Sequence, residues 1–557
     1  MFKTITKTRL VNSLFLIGFP VVYVVSYIVI SHQKGPYYWT PNQDPDYAYL
    51  MDSLNIVNGR SPGIFQHPGT TAQTLGAFVI IVSYWLQSLF NSGIASVNEV
   101  VLSNPELYLE LTNYAIIGLT AICLGLLGFV CYYISQNIFL SLILQTTPFV
   151  MSLSIAEHEP SRVAPEGLLF CASQLLATLL VVYLFKPTVE RSPWFSISLG
   201  IVFGFGLVSK FTFLPMLLFF VVVPGIRQKL LTGISTVITF FVGTLPIFDK
   251  YSNVGNWFVA LAIRDEPYGR GEVQLINVET ILKNLYRLSQ RDGLLLYLTG
   301  ILLIGCIGLF LLSKYGKGEF RINLNDVATK RLLWISSLTT IAIIAQLLLT
   351  AKEYYQSRYL MPSIGLAGFI MFLIIQLYLP VILALGRNLL DRASLTEFVL
   401  AIALGLAIAL GIYQTYTASR LIVERSAMFR ADTAQIQTLL SSPEYSSCVL
   451  TQSRRASTVP AALHFAQFWT GKQFSDVLTQ LYPQALFHNE DSKIYENYNQ
   501  RVTLEDISEQ GQRCVLFQTN PLRGRRLKIY GPNQPIEEIF AGKAEALYRI
   551  KTMDEGA

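Results

Sequence analysis

Residues 37–90 read YYWTPNQDPDYAYLMDSLNIVNGRSPGIFQHPGTTAQTLGAFVIIVSYWLQSLF. The stretch follows an apolar run, Leu10–Ile30, and opens with aromatics and the pair Asp44 and Asp46. It passes through Asn58-Gly59 and a His67-Pro68-Gly69 turn into an apolar segment, 72–90, dotted with Gln73, Thr74, Ser83 and Gln87. This pattern predicts a loop folded over one end of a bundle of membrane helices. A helix that lies on the membrane surface, rather than crossing it, closes the loop.

The rest of the chain agrees with a membrane setting. Of 557 residues, 52% are hydrophobic and 14% are charged, where soluble domains carry about 25% charged residues. A formal charge of +6 over this length gives no reason to expect a nucleic-acid partner. Lys3, Lys7 and Arg9 precede the first apolar run, which is long for a signal sequence and has no small-residue cleavage site after it. An uncleaved first span is expected. Cys123, Cys131, Cys171 and Cys306 fall in apolar runs and read as core residues. Cys448 and Cys514 fall in a polar region, where free thiols and a disulfide are both open, the disulfide only if that region is extracytoplasmic.

Apolar segments of spanning length lie near 10–31, 72–90, 112–133, 137–154, 166–185, 194–209, 211–225, 229–247, 294–313, 332–351, 359–383 and 395–417. Basic residues cluster at the N-terminus and at 186–191, 227–229, 314–331 and 387–392. If all of these face the cytoplasm, each pair must be separated by an even number of spans. Five candidates separate Arg9 from Lys186, so one of the five does not cross. Segment 72–90 is the one, since the loop after it, 91–113, has no Lys or Arg. About eleven transmembrane helices remain. The expected fold is an all-α polytopic membrane protein with an outer juxtamembrane helix and a C-terminal extracytoplasmic α/β domain. Residues 1–417 form the transmembrane domain, with its first outer loop at 32–111, and residues 418–557 form the C-terminal domain. In the latter, 448–451 and 513–517 read as strands, and 461–469 and 536–548 as helices.

Three polar clusters would meet at the outer face. Asp44-Pro45-Asp46-Tyr47 reads as a helix start, with an aspartate cap and proline at the first position. An ionised carboxylate held there can equally serve as a general base. Between two spans, 156–167 carries Glu157, His158, Glu159, Arg162 and Glu166, where a bare connector would suffice. A solvated turn and a second active carboxylate are the two readings, and a divalent cation is a third use of Glu and His here. Lys352, Tyr355, Arg358 and Tyr359 form an outer hairpin whose cations run against the positive-inside rule. They read either as an aromatic belt with snorkelling cations or as a site for an anionic headgroup or phosphate. Lys210 interrupts two short spans, and a charge near hydrocarbon is a functional candidate by default.

In their order, Asp44-Pro45-Asp46-Tyr47, Asn58-Gly59, His67-Pro68-Gly69, Ser209-Lys210-Phe211 and Arg358-Tyr359-Leu360-Met361-Pro362 resemble motifs of the GT-C superfamily of membrane glycosyltransferases. The nearer likeness is to the protein O-mannosyltransferases and the lipid A aminoarabinose transferases, and it covers about residues 1–380. The resemblance implies a polyprenyl-phosphate sugar donor and transfer on the outer face to a lipid, glycan or protein acceptor, with inversion at the anomeric carbon. It implies Asp44 or Asp46 as base, Glu166 or else Glu159 as second carboxylate, and a donor phosphate near Lys210, Lys352 and Arg358; Tyr47, His67, Arg162, Tyr355 and Tyr359 are further candidates for binding substrate. The outer loops lack the long inserted lumenal domain of eukaryotic relatives, which favours a bacterial inner membrane with a periplasmic active site over the endoplasmic reticulum. The sequence departs from the family in having Asp-Pro-Asp for Asp-Glu and His-Pro-Gly for a Pro-Pro turn. The competing readings are a flippase or transporter of lipid-linked sugars, which predicts charged spans and internal repeats, and a glycan polymerase or ligase.

Overall fold

The computed structural model describes residues 7–39, 43–66, 68–91, 93–156, 162–266, 269–315, 326–353, 355–385, 391–489, 494–502, 514–521 and 536–550. Helices dominate: α1 (Lys7–Lys34), α2 (Gln43–Val57), α3 (Thr70–Phe90), α4 (Val97–Ser103), α5 (Pro105–Ser135), α6 (Ile138–Gln145), α7 (Thr147–Val150), α8 (Ser152–Ala156), α9 (Pro165–Phe185) and α10 (Pro193–Ser209). There follow α11 (Gly225–Gly243), α12 (Tyr251–Ile263), α13 (Val278–Arg291), α14 (Gly293–Tyr315), α15 (Val327–Glu353), α16 (Met361–Ile364), α17 (Ala367–Leu385), α18 (Arg392–Leu440), α19 (Val459–Thr470) and α20 (Ser475–Leu481). Among the described residues eight helices are long and apolar enough to cross a membrane: α1, α3, α5, α9, α14, α15, α17 and α18. The molecule is a multi-pass integral membrane protein.

Two ends of the bundle are defined by their contacts. At one, Asn12 donates to Tyr132 at 2.7 Å, and Arg331 binds the carbonyl oxygens of Tyr183 at 2.9 Å and Lys186 at 3.2 Å, together with the Glu190 carboxylate. This Arg331 clasp satisfies the open carbonyls at the C-terminus of α9. At the other end, the connections before α5, before α9 and after α10 converge with the Ser357–Leu360 turn, α13 and the C-terminal sheet. We call it the site end.

Several expected spans differ in form. The run 137–154 is broken into α6, α7 and α8, because Thr146 and Thr147 bond back to their own helix carbonyls and Pro148 supplies no donor. Phe211–Val222 is a 3-10 helix containing Pro215. α11 turns by 82° into the following helical segment. The loop between the first spans is shorter than 32–111, since α1 runs to Lys34 and α5 starts at Pro105.

α3 is long enough to cross, yet its contacts place both its ends at the site end. Thr71 hydrogen-bonds Ser209, the last residue of α10, at 3.0 Å. One helix length later, Gln87 donates to Tyr108, in the first turn of α5, at 3.4 Å. α3 therefore lies across the bundle, as the parity count requires. Phe78, Ile81, Trp85 and Leu89 are exposed on its outer side.

A short hairpin pairs β1 (Arg264–Glu266) with β2 (Arg270–Val273). The C-terminal region adds β3 (Val449–Gln452), β4 (Leu486–Asn489), β5 (Ile494–Glu496), β6 (Arg501–Val502), β7 (Val515–Thr519), β8 (Ile536–Ala541) and β9 (Ala546–Ile550), in a seven-stranded sheet of order β6-β5-β4-β3-β7-β9-β8. Central β3 is parallel to both neighbours, and the remaining pairs are antiparallel. Cys448 and Cys514, each just before one of two adjacent parallel strands, form a disulfide. The segment expected to be helical at 536–548 is the β8–β9 hairpin. Its turn at Gly542–Glu545 is fixed by Asp432 of α18, whose carboxylate accepts from the Ala544 and Glu545 amides at 2.7 and 3.2 Å. α18 itself runs 49 residues through the expected boundary at 417, so membrane and outer parts share one helix.

The two parts also share a core. Tyr47, Leu50, Met51 and Leu54 of α2 pack with Ala462, Leu463 and Ala466 of α19, with Phe474, and with Phe487 of β4. α2 is buried on several faces because α3 covers one side and α19 another. Gly63 lies so close under α19 that a Cβ there would sit 2.3 Å from the Trp469 carbonyl oxygen.

Candidate active site

The site is built from two carboxylate–cation groups joined by residues 162–166. In the first, Asp46 is fully buried. Its Oδ2 accepts from Arg162 Nε at 3.0 Å and lies 2.9 Å from the Nη2, and its Oδ1 accepts from the Val163 amide. Arg162 also donates to the Asp44 carbonyl oxygen. Asp46 thus ties the start of α2 to the start of α9. Asp44 is different. Its φ of −112° and ψ of 109° set it outside the helical turn, and its side chain is 42% exposed, 3.3 Å from Arg455 Nη2. Of the two aspartates, only Asp44 can meet a substrate without breaking a buried ion pair.

In the second group, Glu166 occupies the first turn of α9 after Pro165, where a carboxylate complements the helix N-terminus. Lys210 Nζ donates to Glu166 Oε1, and both side chains are buried. The α10 helix stops there because Lys210 is extended and the chain doubles back. Phe213 then packs on Gly206, where a Cβ would meet its ring at 2.3 Å. Lys210 Nζ lies 4.5 Å from the centre of the Tyr359 ring, and the Arg358 guanidinium lies 5.2 Å from the same ring. Arg358 also adds its charge to the Glu166 carboxylate. Cations on aromatic faces and on a buried carboxylate form a compact, positively charged cluster suited to an anion.

The other sequence-predicted residues are placed as follows. Tyr47 is buried, and its hydroxyl donates to Glu106 Oε1 at 2.7 Å. Lys352 caps the C-terminus of α12 through the carbonyls of Leu261 at 3.0 Å and Ala262 at 2.5 Å. Tyr355 faces Arg291 and Asp292, and burial raises its hydroxyl pKa above the ordinary value. Ser357 donates to Asp292 at 2.9 Å. His67 and Glu159 lie outside the described residues, as do Glu157 and His158. Among the described residues no group of three or more His, Cys, Asp or Glu side chains is placed to hold a metal ion.

Two residues that no local pattern distinguishes are part of this architecture. Asp52, fully buried on α2, accepts from the amides of Gly63 at 2.6 Å and Ile64 at 2.9 Å and from Gln73 at 3.1 Å. Burial pushes its pKa up to about 7 against those bonds. Arg455 reaches Asp44 across a separation of 411 residues. Nothing local could reveal that contact, because it exists only after the sheet docks on the first loop. A polar cavity of about 340 Å³, lined by Ser154, Ser289, Arg291, Tyr297 and Gln414, lies beside the Tyr355 group.

No protein-family model matches the sequence, and no curated protein matches it either. Among solved structures, ArnT from Cupriavidus metallidurans in the apo state aligns over 96% of this chain and 98% of its own at 11% identity, with a TM-score of 0.45. The same protein bound to undecaprenyl phosphate aligns over the same shares at 11% identity, with a TM-score of 0.44.

Proposed function

We propose that the protein is a membrane glycosyltransferase that moves a sugar from a polyprenyl-phosphate donor to an acceptor hydroxyl or amine. The observation that carries this reading is the joining of an accessible carboxylate, Asp44, to a cation–aromatic cluster of buried Lys210 and Tyr359 with half-buried Arg358, through the five residues 162–166. The order of motifs in the first loop supports the same class. The donor phosphate would lie at the cation cluster. The acceptor oxygen or nitrogen attacks the anomeric carbon and its proton passes to Asp44. The bond from the anomeric carbon to the phosphate oxygen breaks, and the phosphate leaves with the electron pair, stabilised by Lys210 and Arg358. One displacement inverts the anomeric centre.

Charge supports an extracytoplasmic site. Lys186, Arg227, Lys229, Lys330 and Arg331 gather at the end of the bundle opposite the site, which the positive-inside rule assigns to the cytoplasm. The Cys448–Cys514 disulfide at the site end fits an oxidising compartment. The test is transfer of radiolabelled sugar from synthetic polyprenyl-phosphate sugars into membrane lipids and proteins. Wild-type transfer that Asp44→Asn abolishes supports the reading. Absence of transfer from every donor, with donor lipid still bound, would favour a transporter instead.

A further inference from the structure

β3 lies where the strand order of the sheet reverses, between two parallel neighbours. From β3 the chain crosses through α19 and α20 to β4 on one side, while β7 lies on the other. In open α/β sheets, ligands bind in the crevice outside the carboxyl ends of strands where the order reverses in this way. Here the carboxyl ends of β3 and β7 are locked together. The Ser453 amide donates to the Gln518 carbonyl oxygen at 2.9 Å, and the Thr519 hydroxyl donates to Ser453 Oγ at 2.9 Å. The next two residues are Arg454 and Arg455.

Both arginines lie on aromatic rings of α19. The Arg454 guanidinium is 4.7 Å from the centre of Phe468, and that of Arg455 is 4.5 Å from Phe465. Phe468 meets Trp469 at 5.2 Å, edge to face, and Phe465 meets Trp469 at 6.4 Å. Phe468 and Trp469 are 61% and 44% exposed, although the backbone beneath them is clamped on Gly63 of the first loop. Lys472 completes the basic side, 3.9 Å from Glu496, which also lies 3.6 Å from Arg454. The contacts run without a break from the exposed rings through Arg455 to Asp44.

We propose that this crevice, with Arg454, Arg455, Phe468 and Trp469, is the acceptor subsite and takes an anionic saccharide. Exposed aromatic rings offer a face to the C–H side of a sugar ring, and planar guanidinium groups match a carboxylate or phosphate substituent. Asp44, at the inner edge, faces the hydroxyl to be glycosylated. The proposal rests on the transferase reading, and it gives the C-terminal domain a direct part in choosing the acceptor.

The test uses the full-length protein in nanodiscs and calorimetric titration with trigalacturonate, maltotriose and inorganic phosphate. Wild type is expected to bind trigalacturonate about tenfold more tightly than either maltotriose or phosphate. Phe468→Ala with Trp469→Ala should weaken trigalacturonate about tenfold, and Arg454→Gln should remove the preference for charge while Arg454→Lys keeps part of it. Absence of trigalacturonate binding, binding untouched by the double variant, or phosphate binding as tightly as the saccharide would each overturn the proposal. Loss of partition of the detergent-solubilised double variant onto phosphatidylglycerol vesicles, with no saccharide bound by wild type, would make the rings a membrane contact instead. The two readings fail separately. If Asp44→Asn keeps transfer while trigalacturonate binding follows Phe468 and Trp469, the base assignment falls and the subsite stands. If transfer needs Asp44 but saccharide binding ignores the rings, the subsite falls alone.

Discussion

The two aspartates of the first loop should separate cleanly when each is changed to asparagine. Asp46 has no exposed surface, and its charge is matched by two Arg162 contacts at 3.0 and 2.9 Å and by the Val163 amide. An amide keeps the shape but leaves a buried guanidinium without its counter-charge and turns a donor toward another donor. Breaking one partner of a buried pair costs roughly 3–5 kcal/mol. Asp44 is 42% exposed with one ion-pair contact at 3.3 Å, and pairs of that kind are worth about 0–1 kcal/mol. Asp44→Asn should therefore unfold at the wild-type temperature while losing about 10²–10⁴-fold in transfer, the usual contribution of a general base. Asp46→Asn should unfold well below wild type and lose activity in step with the folded fraction. Thermal unfolding followed by tryptophan fluorescence, beside radiolabelled transfer on the folded fraction, reads both. An Asp46→Asn protein as stable as wild type, or Asp44→Asn transfer within about tenfold of wild type, would refute the division of roles.

Three other outcomes follow from the geometry. Lys210→Met should destabilise by roughly 3–5 kcal/mol because it leaves Glu166 buried without its ammonium partner, whereas Lys210→Met with Glu166→Gln should recover most of that stability. A double-mutant cycle on unfolding temperature checks it. Replacing Cys448 and Cys514 by serine frees a loop of 66 residues in the unfolded chain and should cost up to about 4 kcal/mol, read as faster proteolysis of the C-terminal domain. Burial raises the pKa of Glu545 to about 7, against hydrogen bonds from Ser457 at 2.6 Å and Gln518 at 3.1 Å. The folded protein then holds a proton that the unfolded chain releases at lower pH, so stability falls as pH rises from the ordinary carboxylate range to about 7. The slope is about 1.4 kcal/mol per pH unit. Unfolding temperatures between pH 5 and 7 should show Glu545→Gln with a shallower fall than wild type, the remainder coming from Asp52.

What the sequence disclosed was whatever rests on local pattern. The helix start at Asp44-Pro45, the break at Lys210, the surface course of α3 and the strands at 449–452 and 515–519 all follow from residue type, spacing and the count of basic loops. Contacts between distant segments left no such trace. Asp46 reads like Asp44 until Arg162 arrives beside it, and Lys352 reads as a ligand for an anion until α12 ends against it. The β8–β9 hairpin was hidden by its short length and by residues that also favour helix, and its turn is set by Asp432 on another element.

The core shared by α2 and α19 sets a clock on biosynthesis. Asn55 donates to the Thr470 carbonyl oxygen at 3.3 Å, across 415 residues. At roughly 5–20 residues per second, the first loop leaves the ribosome about 20–80 s before its partner. Throughout that interval Leu50, Met51 and Leu54 have only α3 and the neighbouring helices to cover them. A chain stopped after α18 would leave that waiting permanent, and quality-control proteolysis in the membrane should clear it.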